Sequence, residues 1–251
     1  MKRNGTLSMK ILALEFSSDR RSVAIVEGTL GAVPALSKRG AQSAGNEQAK
    51  LPADSPVKML AKEMESGARN LKGLVLVEAA LRQAGLSPAD IEAVAVGLGP
   101  GSYTGIRVAI SMAQGWQLAR NSPVTGISSV ENLALLSWRQ QMKGRIAIII
   151  DAQRNEFYLA IYEMLADGPG IIEPLKLATL ETVSHRLKDC DASIGPDVTR
   201  WFPGTRVLFP EADITAELAL AQNHFAGAEQ LEPIYLRETA FVKAPPPRRI
   251  E

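Results

Sequence analysis

Eleven residues, Gly-Leu-Gly-Pro-Gly-Ser-Tyr-Thr-Gly-Ile-Arg at positions 97–107, are the part of the chain best suited to chemistry. A glycine-rich turn lets backbone come close to a bound group. A helix that follows it aims its first amides at that group, which suits phosphate or carboxylate. Gly99, Gly101, Ser102 and Thr104 would form such a cradle, and Arg107 falls in the first turn of the helix, facing an anion, a partner carboxylate or solvent. The common phosphate patterns nevertheless fail. Counted from Gly97, the Walker spacing puts Ser102 and Tyr103 where glycine and lysine are required. The dinucleotide spacing reaches Ser102 from Gly97, and Thr104 from Gly99, where it needs glycine. The loop is therefore a glycine turn of another kind: either an anion cradle or a tight structural link into the next helix.

Two carboxylates, Glu15 and Asp151, end apolar strand patterns just before turns, with Ser17 beside the first. At such positions acids either face a cleft and hold a metal–phosphate group or cap their own turns. His185 and His224 are the only histidines, and they share no ligand spacing with each other or with the single cysteine, Cys190. No hydroxyl or thiol can be grouped with a histidine and an acid by spacing. The sequence assigns no catalytic residue and no metal ligand.

The elements that must position these residues read as α/β. Residues 10–16 and 22–27 are strands around a turn; 70–84 is a helix closed by Gly85; 91–97 is the strand that enters the glycine loop; and 105–119 is the helix that leaves it. Further on, 123–127 is a strand, Ser129 caps a helix at 130–140, and 145–151 and 156–163 form a second hairpin. Residues 171–177, 192–194 and 207–209 read as strands, and 179–188 and 215–225 as helices. Residues 28–67 mix glycine, proline, alanine and charge, and read as a long loop or insertion with weak helical character at 57–64. Residues 13–27 align without gaps on 149–163 at an offset of 136, bringing Glu15 onto Asp151. A duplicated unit of this kind gives two stacked α/β lobes with a cleft between them. The division falls at 9–120 and 121–243, with 1–8 and the proline-rich 244–251 as flexible tails and Met9 as an alternative start.

Apolar residues spread beyond one narrow stripe on helices 70–84 and 105–119. Leu71, Leu74, Val75, Ile106, Ile110 and Ala113 are the expected contacts of a partner surface. The chain has 251 residues, 46% hydrophobic and 22% charged, with a net charge of +1. This gives no global electrostatic reason for strong nucleic-acid binding. One cysteine excludes an internal disulfide, and no apolar run approaches a membrane span, so the cytoplasm is the expected compartment.

Four segments in order resemble the bacterial TsaB (YeaZ) family: Met9-Lys10-Ile11-Leu12-Ala13-Leu14-Glu15, the glycine loop 97–107, Ile150-Asp151-Ala152-Gln153-Arg154, and Glu232-Pro233-Ile234-Tyr235-Leu236-Arg237. The resemblance implies a two-lobed actin-like and Hsp70-like (ribonuclease H-like) fold. It implies a part in making threonylcarbamoyladenosine beside the tRNA anticodon, as a non-catalytic scaffold. The implied partners are a homologous TsaD-like catalytic subunit and a TsaE-like ATPase, with homodimerisation when alone and tRNA reached through the complex. It implies no cofactor of the chain's own, with ATP or ADP at a complex interface. The alternative is a stand-alone nucleotide-dependent ATPase or kinase of the same fold. The chain departs from the family in carrying Glu15 where the first strand usually ends in Asp.

Overall fold

The computed structural model describes residues 8–31, 57–67, 72–222 and 224–236. Leu71, most of the expected 28–67 loop and almost all of the two expected tails lie outside the described residues.

Strands β1 (Ser8–Glu15), β2 (Arg20–Thr29) and β3 (Val57–Ser66) run antiparallel in turn. After helix α1 (Gly73–Ala84), β4 (Ala93–Gly97) returns parallel to β1. Helix α2 (Tyr103–Arg120) then leads to β5 (Val124–Ile127), parallel to β4. The first sheet therefore has the order β3-β2-β1-β4-β5. Helix α3 (Ser129–Arg139) crosses to the second sheet, built from β6 (Gly144–Asp151), β7 (Glu156–Leu165), β8 (Gly168–Thr179), β9 (Ala192–Gly195) and β10 (Arg206–Val207). Helix α4 (Leu180–Arg186) precedes β9, and α5 (Ala212–Gln222) closes the fold. The second order, β10-β9-β6-β7-β8, repeats the first strand for strand. This is a duplicated, two-lobed actin-like fold.

Side-chain alternation along the strands sets the layers. Leu12 and Leu14 of β1, with Phe16 just beyond it, pack beneath α1 and α2 on the outer face. Ile11 and Ala13 point the other way, onto α5 and the end of α3. Val130, Leu133 and Ala134 of α3 cover one face of the second sheet through Ile146, Ile148 and Ile150. Ala147 and Ile149 turn to Val183 of α4 and to Phe202. The result is helices, sheet, helices, sheet, helix, with α3 and α5 shared between the sheets.

Several expectations need correction. The segment 57–66, expected as loop with weak helical character, is the edge strand β3. Its Met, Leu, Lys and Glu residues favour helix, but backbone pairing with β2 wins over that propensity. The 120/121 division separates β5 and α5 from the sheet they serve: β5 extends the first sheet, and α5 packs on its inner face. The cap of α3 is Ser128, whose hydroxyl accepts from the Val130 amide at 3.3 Å, leaving Ser129 free for another role. The gap-free repeat is also one residue out in its second strand. Leu14 faces Val23 and Ile150 faces Tyr158, so β7 follows β2 at an offset of 135 while β6 follows β1 at 136. Both strands are buried on both faces, so no apolar pattern exposes the slip. Gly85 does close α1, in the left-handed conformation at φ 66°.

Candidate functional site

Glu15 ends β1 with its carboxylate turned to the inner layer and fully buried. It accepts from the Ser17 amide at 3.0 Å, from the Ser129 hydroxyl at 3.2 and 3.3 Å, and from the Thr215 hydroxyl at 3.3 Å. One side chain thus ties the first hairpin to the starts of α3 and α5. Burial pushes its pKa up, against hydrogen bonds from Ser17, Ser129 and Thr215 that favour the charged form. It does not reach the cleft.

The glycine loop closes over this group. A Cβ at Gly97 would collide with the Glu15 carboxylate, and one at Gly101 would collide with the Ser17 carbonyl. These two glycines are set by close approach of the first hairpin. The loop's polar groups are largely used within the fold. The Ser102 amide donates to the Ser17 carbonyl at 2.6 Å, the Leu98 amide to Ile127 at 2.8 Å, and the Ser129 amide to the Gly99 carbonyl at 2.8 Å. The Ser102 hydroxyl caps α2 by accepting from the Gly105 amide at 3.3 Å. The C-terminal segment fastens the outside: the Ile234 amide donates to the Leu98 carbonyl at 2.9 Å, and Tyr235 stacks on Tyr103 with ring centroids 5.6 Å apart.

Between the lobes lies a cleft of about 1160 Å³. Of the residues singled out by sequence, Ser17, Gly101, Ser102 and Asp151 line it. Thr104 and Arg107 do not: both line an outer groove, and the Arg107 guanidinium sits 4.0 Å from the Tyr103 ring centroid. Gly99 instead packs against the Ile106 side chain. Asp151 holds its own turn, accepting from the Gln153 amide at 2.7 Å and side chain at 3.0 Å, and pairs with Arg200 at 3.4 Å. The turn carries three successive non-glycine residues at positive φ, Gln153, Arg154 and Asn155. Asp19, Arg154, Asp197, Arg200 and Tyr235 also line the cleft. Burial and the Asp19 carboxylate raise the pKa of Asp197. Sequence reasoning missed these residues because the cleft is built from chain turns far apart in order; the duplicated hairpin was the one signal that its two sides would meet. The carboxylates facing the cleft are offset by Arg154 and Arg200, and among the described residues no group of three or more His, Cys, Asp or Glu is placed to hold a metal ion.

The expected partner residues divide. Leu74 and Val75 of α1 are 74% and 58% exposed, as a docking surface requires. Ile106, Ile110 and Ala113 are not surface residues. With Ala109 they form the i, i+3, i+4, i+7 face that packs on the first sheet, and they belong to the core. The outward side of α2 is carried by Tyr103 and by Leu118, which is 90% exposed. Between α1 and α2 runs a groove of about 710 Å³, floored by Val108, Met112 and Trp116.

Comparison with known proteins matches this geometry. The family model described as TsaD, tRNA N6-adenosine threonylcarbamoyltransferase, matches residues 69–181. The tRNA threonylcarbamoyladenosine biosynthesis protein TsaB of Escherichia coli strain K12 is 29% identical over 196 residues, which cover 69% of this chain and 82% of that protein. An uncharacterized Mycobacterium tuberculosis protein is 32% identical over 168 residues, covering 64% and 71%. A solved Pseudomonas aeruginosa structure, described as an uncharacterized protein with similarity to peptidase YEAZ, superposes with a TM-score of 0.69 at 26% identity, covering 91% of this chain and 100% of that one. With the glycine loop, the duplicated sheets and these relatives together, the chain belongs to the TsaB (YeaZ) family.

Proposed function

We propose that this chain is the non-catalytic scaffold subunit of a tRNA threonylcarbamoyladenosine complex. It pairs through the outer face of α1 and α2 with a TsaD-like catalytic paralogue, and the assembly includes a TsaE-like ATPase. In this reading the chain brings no cofactor of its own, ATP or ADP binds at a shared interface, the isolated chain dimerises through the same face, and tRNA is engaged through the complex. The observation that carries the proposal is the exposure of Leu74 at an apolar groove, with Val75 and Leu118 also exposed on the same two helices. Apolar side chains clustered at a rimmed groove mark contact surfaces more often than solvent-facing ones. The inward use of Glu15 and of the glycine-loop amides further supports a structural role for the residues that first suggested nucleotide chemistry.

The test is native mass spectrometry and affinity measurement of the chain with its purified paralogue, using Leu74→Glu combined with Leu118→Glu. Both positions are solvent-exposed, so the variant should keep its thermal midpoint and lose association at least about tenfold. Undiminished association would refute the docking face. Magnesium-dependent ATP turnover by the isolated chain would instead establish the stand-alone enzyme.

A further inference from the structure

The subunit role gives the cleft between the lobes no use, yet its walls carry features that the fold alone does not employ. Among the described residues, six that are not glycine adopt positive φ. Asn121 and Gln141 do so at the ends of α2 and α3, where that conformation is common. The other four are Gln153, Arg154, Asn155 and Asp197, and all but Asn155 line the cleft from the second lobe. Backbone held in sparsely populated conformations collects at ligand clamps, where the surroundings over-determine it. The charges on this wall are also unmatched. Asp151 and Arg200 pair with each other at 3.4 Å. Asp19 of the first hairpin, Asp197 and Arg154 line the same cleft, and their side chains have no hydrogen-bond or ion-pair partner among the described residues. Asp19 and Asp197 come from opposite lobes, and burial together with the Asp19 carboxylate raises the pKa of Asp197. Two carboxylates thus share a cleft with no cation between them, while one guanidinium stands there without an anion. Much of the remaining wall is apolar, from Ile150, Ala152, Pro196 and the Tyr158 ring.

This balance selects a class of ligand. A nucleotide or other polyanion would meet three carboxylates against two guanidiniums. Among the described residues no group of three or more His, Cys, Asp or Glu is placed to hold a neutralising metal ion. A polyamine would meet Arg154 and Arg200. A small zwitterion satisfies both signs. We propose that the cleft binds a free α-amino acid with an apolar side chain, its ammonium between Asp19 and Asp197, its carboxylate on Arg154 and its side chain against Ile150 and Tyr158. Charge-assisted bonds at its two ends fix its orientation, and the apolar wall selects its side chain. Because Asp19 belongs to the first hairpin and the other contacts to the second lobe, the bound molecule ties the lobes together.

The proposal goes beyond the subunit role and does not depend on it, since none of these residues lines the groove of α1 and α2. The isolated full-length chain is titrated calorimetrically with L-leucine and L-phenylalanine, and its thermal unfolding is followed with each. At least one should bind saturably and raise the thermal midpoint. The N-acetyl and amide derivatives of that amino acid, each lacking one charge, should bind at least about tenfold more weakly. Asp19→Asn, Asp197→Asn and Arg154→Asn should each weaken binding by a similar factor. All three positions are exposed, and asparagine tolerates the left-handed backbone of the last two, so the midpoint without ligand should hold. Absence of binding by both amino acids, or equal binding of a blocked derivative, would overturn the proposal. Binding of adenosine monophosphate with magnesium, lost in Arg154→Asn and unchanged in Asp19→Asn, would overturn it in favour of an anion. Binding of spermidine with the reverse pattern would overturn it in favour of a cation. The association test with Leu74→Glu/Leu118→Glu uses a different face, so either reading can fail while the other stands.

Discussion

Glu15 and Asp151 end the first strands of two sheets with the same strand order, and the repeat in the sequence aligns them. Yet Glu15 is fully buried and holds together a turn and two helices, whereas the side chain of Asp151 keeps 19% of its surface open at the cleft. The connections explain the difference. In the first lobe β4 runs into the glycine loop and the eighteen-residue α2, and the loop seals Glu15 from solvent. In the second lobe β9 ends at Gly195 and leads through a short irregular segment. There Trp201 and Phe202 pack edge-on against Phe157, with ring centroids 5.2 and 5.0 Å apart. Duplication preserved the strands and their pairing, while the loops that cover the strand ends diverged. A carboxylate inherited at one backbone position became a buried tie in one lobe and a cleft-facing turn cap in the other.

Removing the tie should have the largest effect. Glu15→Ala leaves the Ser17 amide and the Ser129 hydroxyl buried without their acceptor and the Thr215 hydroxyl with the Glu211 carbonyl in place of the carboxylate, and a loss of about 2–4 kcal/mol is expected in urea unfolding. Gly97→Ala attacks the same contact from the loop side. Its methyl group meets a fully enclosed carboxylate, and a loss of about 1–3 kcal/mol is expected. If the two substitutions combine additively, they do not act on one contact, and the tie is distributed more widely than Glu15.

A smaller effect separates charge from geometry. Burial raises the pKa of Glu15 in the folded chain, while the unfolded chain keeps the ordinary value. The folded state therefore holds the proton more tightly. The stabilisation from this group is complete below the ordinary carboxylate range and is lost as pH rises through the raised folded value. Glu15→Gln carries no titrating group. Measured from about pH 4 to about pH 8, the variant should gain on the wild type as pH rises through that window. A stability difference that stays constant across the window would show that the carboxyl is not strained by its burial.

The contrast between the lobes also marks what the sequence could disclose. The hairpins, β4 and β6 were readable because strands buried on both faces appear as unbroken apolar runs. The partners of Glu15 were not, since Ser129 and Thr215 lie 114 and 200 residues away and become neighbours only when α3 and α5 enter the space between the sheets. Ser128 and Ser129 are equally good caps by type, and tertiary contact divides their roles. On α2 two apolar lines compete: Ile106, Ile110 and Ala113 on one, Val108, Met112 and Trp116 on the other. Periodicity shows that both exist, but only the position of the sheet decides which is core. That is why three residues expected at a partner surface are buried. β3 was illegible for the opposite reason, because its helix-forming residues are held extended by pairing with β2 and by tertiary contacts of Ala61 and Lys62 that the local sequence does not show.

The smallest expected effect lies at Asp151, and it is the sharpest test of divergence between the lobes. Asp151→Asn keeps a side-chain carbonyl that can accept from the Gln153 amide, so the turn through Gln153, Arg154 and Asn155 should survive. What is lost, where Oδ2 becomes an amide nitrogen, is the bond from the Gln153 side chain and the pairing with Arg200, a 3.4 Å contact to a side chain that is 68% exposed and also rests on the Trp201 ring. Such pairs contribute about 0–1 kcal/mol, so the unfolding midpoint should barely move and what little change occurs should vanish in salt. Asp151→Ala, which also removes the acceptor for Gln153, should cost somewhat more, because three left-handed residues then lose the bond that holds them. A loss from Asp151→Asn as large as that from Glu15→Ala would mean that the second hairpin is tied as tightly as the first. The carboxylate that ends the first strand would then be a structural element in both lobes, and the divergence drawn from their loops would fail.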